Sequence, residues 1–337
     1  MKKLLIFLFV SLYSFQSISD ELGVISLMYH RVGEGKYPST NVSVEMFQQH
    51  LNAIEESGLK FIEPLKFKEQ VLNGKKFTER YILLTVDDSF KSFYQNAWPI
   101  LKEKKIPFIL FVSTREVGKN NYMGWDQIRE IAKEEFVHIG NHSHTHEYLV
   151  DRTPQEIKDD LKESISIFKK NLGYNSPFFS YPFGEYSLEF KKIVKDLNFK
   201  YAFGQHSGVT DESKDLLTMP RFPINEKYGE IKRFKSIINY FPLEYKKILP
   251  EEKQLFENTN PPEFKVEFFK EQKNLDNINC YSNEGDIWKK SKINFSNYTL
   301  TIEFREPFRP RRGRINCSLN DNGKWRWFGI QFPIKEN

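Results

Sequence analysis

Short, almost wholly apolar segments recur through the first 240 residues, and each is followed by a stretch whose apolar residues have helical spacing. Residues 24–29, 81–86 and 107–112 are examples. Continuous apolar runs are typical of strands buried on both faces, and alternation with helices is typical of a parallel sheet covered on those faces. About seven such units fit a barrel better than an open sheet. The sequence therefore predicts an α/β fold with a distorted, incomplete (β/α) barrel.

Local signals predict where individual helices begin and end. Thr153 and Glu156 form a capping-box pattern with Pro154 at the first helical position. Ser43 is a candidate N-cap for a helix that ends near residue 56. Three further predictions are one continuous helix over residues 90–104, a strand over 217–222 and a closing helix over 226–240.

The character of the sequence changes near residue 250. A single hydrophobic core stops growing at about 250–300 residues, so a chain of 337 residues is expected to form two domains. The segment that follows Pro250 is polar and contains an Asn-Pro-Pro run, as linkers do. Short alternating segments with Asn- and Gly-containing turns come after it. We predict an α/β domain over residues 20–249, a linker over 250–262 and a small all-β, sandwich-like domain over 263–337.

The N-terminus has the features of a secretory signal. Two lysines precede a short apolar segment, and small residues precede Asp20. The apolar segment is shorter than the roughly 20 residues that a spanning helix needs, and no later segment reaches that length. We expect residues 1–19 to be removed and the mature protein to be secreted or periplasmic, without a stable membrane span. An uncleaved N-terminal anchor is the alternative.

Two cysteines, Cys280 and Cys317, fall in the predicted β domain. In an oxidising compartment they would form a disulfide, and otherwise they would be two small buried thiols. The sequence leaves both interpretations open.

The predicted β domain also carries clustered basic and aromatic residues. The densest basic group of this chain, whose net charge is +5, consists of Arg305, Arg309, Arg311, Arg312 and Arg314. Such a group is typical of a surface that binds nucleic acid or an anionic polysaccharide, and also of a solvated face without a ligand. We favour the solvated face, and export argues against a nucleic-acid partner. Trp288, Trp325 and Trp327 would either stack on a sugar ring or fill the sandwich core, and we favour the core.

Two polar motifs directly follow predicted strands and offer metal ligands. One is the pair Asp87 and Asp88, and the other contains His142, His144 and His146. Zinc takes imidazole and carboxylate ligands in a tetrahedral shell, and a catalytic zinc keeps one position for water. The motifs therefore predict that Asp88, His142 and His146 bind Zn²⁺, with Co²⁺, Ni²⁺ or Fe²⁺ as alternatives. Asp87 would then be free to act on the bound water.

These motifs resemble those of the polysaccharide deacetylases with a NodB homology domain, carbohydrate esterase family 4. Residues 85–88 are similar to the first family motif, residues 142–146 to the second and residues 181–184, Tyr-Pro-Phe-Gly, to the third. The resemblance covers residues 22–240. It implies metal-dependent hydrolysis of the N-acetyl groups of an N-acetylglucosamine-type polysaccharide, with release of acetate.

The resemblance also implies a role for each matching residue. Asp87 corresponds to the general base, and Asp88, His142 and His146 correspond to the metal ligands. The main-chain N–H of Tyr181 corresponds to a donor that stabilises the oxyanion. The alternative for the Tyr181 ring is ordinary packing in the barrel.

The general acid is harder to identify, because the Leu-x-His motif common in the family is absent and no histidine follows His206. In permuted members that resemble poly-N-acetylglucosamine deacetylases, the acid is the histidine of a Tyr-His pair on the first strand. His30 matches this position and is our candidate acid, with His206 as its competitor. His144 is expected to support the loop or face solvent. Arg221 would orient Asp87, contact substrate or form a salt bridge at the rim.

Two other classes of function stay open. The same site would also suit an O-acetyl ester or another amide, attacked by the same metal-bound water. A non-catalytic polysaccharide-binding protein with a structural metal is the third interpretation. Asp87 argues against it, since a purely structural site has no use for an unligated carboxylate beside the metal.

Overall fold

A computed structural model describes residues 22–74 and 76–335 of the chain. The predicted signal peptide lies outside the described residues. Up to residue 223 the strands are β1 (Val24–Tyr29), β2 (Arg31–Val32), β3 (Asn41–Val42), β4 (Lys60–Phe61), β5 (Tyr81–Val86), β6 (Phe108–Val112), β7 (Val137–Asn141), β8 (Phe178–Ser180), β9 (Tyr201–Phe203) and β10 (Phe222–Pro223). The helices are α1 (Val44–Glu56), α2 (Pro64–Leu72), α3 (Lys91–Asn96), α4 (Trp98–Lys104), α5 (Trp125–Ile131), α6 (Pro154–Leu172), α7 (Leu188–Asp196) and α8 (Ile231–Ile237). None of the helices in the described ranges is long and apolar enough to cross a membrane.

Eight of these strands form one parallel sheet that curls into a half-barrel. Its order is β10-β1-β5-β6-β7-β8-β9, with β4 also paired to β5. Every residue of β1 and β6 is buried, as expected for strands covered on both faces. The predicted distorted, incomplete barrel is confirmed.

The parallel pairing brings the carboxyl ends of the strands to one edge. Tyr29 at the end of β1 is paired with Val86 at the end of β5, and Val112 at the end of β6 is paired with Asn141 at the end of β7. The residues that directly follow these strands therefore meet at the same edge, where the chemistry of such barrels is found.

The two helix N-termini predicted from capping signals are confirmed. Ser43 Oγ accepts the N–H of Met46 at 3.1 Å, and the side chains of Thr153 and Glu156 form the reciprocal capping box of α6. Both caps satisfy N–H groups that have no partner inside the helix.

Three other predicted elements are corrected. Residues 90–104 form two helices, which meet at Ala97, because Pro99 has no N–H to continue the hydrogen bonds of α3. The predicted strand over 217–222 is reduced to β10, because Asp215 accepts the N–H of Leu217 in a turn. The closing helix is shorter than 226–240, since the Glu230 carboxylate accepts two N–H groups at the start of α8.

The remaining strands form two further sheets. They are β11 (Phe241–Pro242), β12 (Lys247–Leu249), β13 (Lys265–Glu267), β14 (Asn279–Ser282), β15 (Lys289–Lys290), β16 (Lys292–Ser296), β17 (Thr299–Glu303), β18 (Arg312–Asp321) and β19 (Lys324–Pro333). One sheet has the order β11-β19-β18-β14-β15 and the other β12-β13-β17-β16. Buried residues of both, such as Val266, Leu300, Ile315 and Phe332, share one core. This confirms the sandwich-like C-terminal region, and a disulfide joins Cys280 of β14 to Cys317 of β18.

The change of sheet does not coincide with the predicted boundary at residues 249/250. Strands β11 and β12 precede that point but pair with C-terminal strands. Within residues 250–262, Leu255 is buried and bridges to Ile334, and the side-chain amide of Gln254 donates to the Val150 carbonyl at 2.9 Å. The segment predicted to be a linker is therefore packed against both regions.

A fully buried histidine joins α1 to the barrel. His50 Nε2 lies 2.6 Å from the Gly229 carbonyl oxygen and Nδ1 lies 2.9 Å from the Tyr29 hydroxyl. A carbonyl only accepts, so Nε2 carries the hydrogen and Nδ1 accepts from Tyr29. Burial lowers the pKa of His50 to about 4, against the opposing effect of the bond to Gly229. The ring is therefore neutral in the folded protein.

We expect the free energy of unfolding to fall when the pH is lowered from 7 to 5. The unfolded chain binds a proton at His50 near pH 6.5 and the folded protein only near pH 4, so this stability is lost as the pH falls between those values. The contribution from this residue is about 2 kcal/mol. Urea unfolding at both pH values measures it, and His50→Gln, which stays neutral, should show a pH dependence smaller by that amount. An equal pH dependence in parent and variant would contradict the assignment.

Candidate active site

The three predicted ligands lie together at the carboxyl edge of the half-barrel. His146 Nε2 lies 3.2 Å from Asp88 Oδ1, and His142 Nε2 lies 3.5 Å from the same oxygen. One ligand atom from each residue lies within 4.8 Å of the other two. Zinc–ligand bonds of about 2.0–2.2 Å in a tetrahedral shell place ligand atoms about 3.3–3.6 Å apart. The spacing and the mixed nitrogen and oxygen donors therefore fit one divalent cation.

The orientation of His142 is fixed by its other ring nitrogen. Nδ1 lies 2.7 Å from the Ser180 carbonyl oxygen, which only accepts, so Nδ1 carries the hydrogen. Nε2 then presents its lone pair towards Asp88. The carbonyl comes from the end of β8, so the tautomer of His142 depends on the neighbouring strand.

The backbone at the other two ligands has an unusual conformation. Asp88 has φ 73° and His146 has φ 53°, both in the left-handed region that side chains other than glycine rarely adopt. The His146 N–H donates to Ser143 Oγ at 3.0 Å, which helps to hold this turn. Such conformations cost free energy and are concentrated at functional sites.

The histidine loop is also held by a carboxylate that the sequence analysis missed. Asp160 of α6 accepts the N–H of His144 at 2.8 Å, the N–H of Thr145 at 3.0 Å and the hydroxyl of Thr145 at 2.6 Å. The signal was an aspartate on the otherwise buried face of an amphipathic helix, which needs polar partners. His144 is not one of the clustered ligands, and its Nδ1 lies 2.8 Å from Thr114 Oγ1.

Asp87 lies behind the ligands in a buried ion pair with Arg221. Arg221 Nη1 and Nη2 donate to the two carboxylate oxygens at 2.7 and 2.8 Å, and both side chains are fully buried. Arg221 is therefore not at the rim, and of the three roles left open it has the one that orients Asp87. Ser180 Oγ donates to Asp87 at 3.3 Å and accepts from Arg221 at 2.8 Å.

Arg221 and the neighbouring histidines keep both aspartates ionised. Burial alone would raise the pKa of Asp87, but Arg221 and His142 outweigh it and hold that pKa below its usual value. Burial also opposes ionisation of Asp88, and here His146 and His142 hold the pKa far below its usual value. Both carboxylates are therefore negatively charged at neutral pH.

The two candidate acids both line a cleft of about 660 Å³ in front of the ligands. His30 follows β1 and lies on this cleft with Asp88 and His146, and its buried Nδ1 has no hydrogen-bond partner in the described part of the chain. Burial lowers the pKa of His30, against the pull of Asp88 and Asp87. Burial and nearby Lys253 lower the pKa of His206 further, to about 3.

The predicted role of the Tyr181 N–H is wrong for this structure. That N–H donates to the Phe203 carbonyl at 3.1 Å, because the pairing of β8 with β9 continues by one residue. The Tyr181 ring is fully buried and packs at right angles to Phe179 and Phe190. Tyr181 therefore belongs to the core, which was the alternative interpretation.

The C-terminal region forms part of the cleft, which corrects two predictions. Trp288 and Trp327 line the cleft and are not in the sandwich core, while Trp325 is exposed. The arginine group is not uniformly a solvated face, since Arg312 and Arg314 also line the cleft. The sequence predicted an all-β region but not which face of the sandwich meets the barrel.

Comparison with known proteins agrees with this architecture. Residues 74–202 match the family model of polysaccharide deacetylase. This chain contains a polysaccharide deacetylase domain. A curated relative, poly-beta-1,6-N-acetyl-D-glucosamine N-deacetylase from Staphylococcus aureus, is 27% identical over 244 residues, which cover 64% of this chain and 83% of that protein.

Two solved structures resemble the fold. The Streptococcus pyogenes deacetylase PplD, solved in complex with acetate, has a TM-score of 0.59 at 23% identity and covers 65% of this chain and 99% of its own. IcaB from Ammonifex degensii has the same TM-score and identity, and covers 65% of this chain and 98% of its own. Both comparisons show a similar fold.

We expect Asp160→Asn to lower the free energy of unfolding by about 1–3 kcal/mol, because an amide nitrogen would face a loop N–H in place of an acceptor. Urea unfolding measures the loss. Asp159→Asn is the matched control, since Asp159 is the exposed neighbour on the same helix and accepts a hydrogen bond from the nearby Gln155 side chain. Equal effects of the two variants would contradict the role given to Asp160.

Proposed function

We propose that this protein is a metal-dependent N-deacetylase that acts outside the cytoplasm on an N-acetylglucosamine-type polysaccharide and releases acetate. The observation that carries the proposal is the arrangement of Asp88, His142 and His146 around one point, with the ionised Asp87 beside them. The family of the domain and the named activity of the Staphylococcus aureus relative support the same reaction.

In this proposal Asp88, His142 and His146 hold the cation. Zn²⁺ is the first candidate, and Co²⁺, Ni²⁺ or Fe²⁺ also suit the donor set. When bound, the cation would lower the pKa of a coordinated water to about 7 and polarise the acetamide carbonyl. His142 keeps its lone pair available because Ser180 fixes its tautomer.

Asp87 is the general base. Its two oxygens already accept hydrogen bonds from Arg221, so the carboxylate is held in one orientation and does not need to rearrange during proton transfer. Its low pKa makes it a modest base, which is sufficient for a water whose own pKa is near neutral. Arg221 acts through Asp87 and is a positioning residue.

His30 is the general acid that protonates the departing amine. It lies on the cleft beside Asp88 and His146, where a departing amine would be released. A histidine with a lowered pKa is a strong proton donor once it is protonated. His206 lies on the same cleft and is the alternative.

Acetate release from N-acetylglucosamine oligomers tests the reaction. We expect a chelator to abolish it, Zn²⁺ or Co²⁺ to restore it, and Asp87→Asn to lower kcat by about 10²–10⁴-fold with metal affinity retained. Asp126→Asn is the control, because Asp126 is an almost fully exposed carboxylate. Turnover in the chelated protein would reject the mechanism, faster release from an O-acetyl ester would favour the esterase, and tight oligomer binding without turnover would favour a binding protein.

The assignment of the acid is tested with His30→Ala and His206→Ala. We expect His30→Ala to lower kcat on the amide by about 10²–10⁴-fold. The loss on 4-nitrophenyl acetate should be smaller, because its leaving group departs without protonation. His206→Ala should stay within a few-fold of the parent on both substrates. The reverse pattern would transfer the role to His206.

A further inference from the structure

The cleft in front of the candidate metal ligands has one wall made by the half-barrel and another made by the C-terminal sheets. The second wall consists of Trp288, Arg312, Arg314, Asn316, Trp327 and Ile330. Trp327 Nε1 donates to Ser207 Oγ at 2.8 Å, and its ring stacks on Tyr240 at 5.0 Å. The wall is therefore fixed to the barrel beside the site.

The charges on the cleft are unbalanced. Lys227, Arg233, Arg312 and Arg314 line it, and Asp88 is the one carboxylate among the described residues that do so. Asp88 belongs to the candidate metal site, where a divalent cation would add further positive charge. A cleft with an excess of one charge concentrates ligands of the opposite charge.

Two of these arginines have no carboxylate within ion-pair distance in the described ranges. Arg314 donates through Nε to Gln331 at 3.3 Å, and Glu185 and Asp286 act on it only from beyond 4 Å. Arg233 donates to the Tyr228 carbonyl, and its guanidinium lies 5.1 Å from the Tyr228 ring. Both arginines are half-buried, and this burial lowers the pKa of each.

By contrast, the charges of the neighbouring arginines Arg311 and Arg312 are balanced by carboxylates. Arg311 forms ion pairs with Asp151 at 2.8 Å and with Glu185 at 2.7 Å, and Arg312 also pairs with Glu185. These contacts join the sandwich to the barrel. A half-buried charge without a carboxylate nearby is less well compensated than a paired one, so Arg233 and Arg314 suit an anionic partner that is not part of the chain.

We infer that Arg233 and Arg314 bind an anionic substituent, a carboxylate or a phosphate, on the polysaccharide whose acetamido group reaches the metal site. The inference rests on the proposed function and narrows its substrate from a neutral glucosamine polymer to an acidic N-acetylated glycan. Guanidinium groups suit carboxylate and phosphate equally through paired N–H donors. The partly exposed rings of Trp288 and Trp327 suit stacking on the sugar faces between the two subsites.

The test compares three oligosaccharides of similar length with the full chain loaded with Zn²⁺. One is neutral poly-N-acetylglucosamine, one alternates glucuronic acid with N-acetylglucosamine, and one joins N-acetylglucosamine units by phosphodiesters. Affinity is measured by calorimetry and acetate release by kcat/KM. We expect at least one acidic oligomer to be preferred about tenfold or more in both measurements, with a preference that declines as salt is raised.

The variants Arg314→Gln and Arg233→Gln should reduce the ratio of acidic to neutral kcat/KM by about 10–100-fold, mainly through KM, since a hydrogen bond to a charged group contributes about 1.5–3 kcal/mol. Arg314→Lys should recover part of the preference. Arg309→Gln is the matched control, because Arg309 is an exposed arginine of the same segment outside the cleft. It should keep the parent ratio.

The outcomes separate this inference from the proposed function. Equal affinity and kcat/KM for neutral and acidic oligomers, or equal losses on both in Arg314→Gln, would overturn the inference while deacetylation stands. An acidic preference in calorimetry that Arg314→Gln removes, without acetate release from any oligomer, would support the anion subsite and reject the deacetylase. The phosphate and carboxylate oligomers show which anion is bound.

Discussion

The buried pair of Asp87 and Arg221 is the interaction on which the rest of the site depends. Arg221 also donates through Nε to the Gly204 carbonyl at 3.0 Å and through Nη1 to Thr85 Oγ1 at 3.2 Å. One side chain therefore joins the ends of β5, β8 and β9 to the segment that leads into β10. The sheet path begins at β10 and ends at β9, so Arg221 bridges the gap in the half-barrel. Removal of one partner from such a pair costs about 3–5 kcal/mol, because the other charge stays buried.

The same pair explains how two adjacent aspartates have opposite surroundings. Asp87 follows β5 with its side chain directed into the fold, where Arg221 neutralises it. The backbone then turns through the left-handed region at Asp88 and Ser89, which directs Asp88 to the histidines. The ion pair of Asp87 and the pairing of β5 fix the chain where it enters this turn, and they help to maintain its strained conformation. The two carboxylates would repel each other in a shared pocket, and this turn holds them in two different environments.

The sequence predicts the parts of this site that depend on local order. His30 and His142 directly follow buried strands and Asp88 lies two residues after another, so parallel pairing is sufficient to bring them together. The missing parts depend on contacts between segments: the helix pattern marks Asp160 as a buried aspartate, but only the fold shows that its partners are in the histidine loop. The role expected for the Tyr181 N–H failed because the pairing of β8 and β9 extends one residue further than the motif suggests. The change of sheet does not coincide with the boundary predicted near residue 250, because β11 pairs with β19 and β12 pairs with β13.

The C-terminal wall of the cleft results from the alternation of side chains along a single strand, β18. In β18, Gly313, Ile315 and Cys317 are buried towards the sandwich, whereas Arg312, Arg314 and Asn316 alternate with them and lie on the cleft. A shift of the register by one residue would exchange the two faces and place arginines in the core. The disulfide between Cys280 and Cys317 joins directly paired residues of β14 and β18 and so fixes this register. The cystine does not line the cleft, yet it helps to determine which side chains of this strand face it.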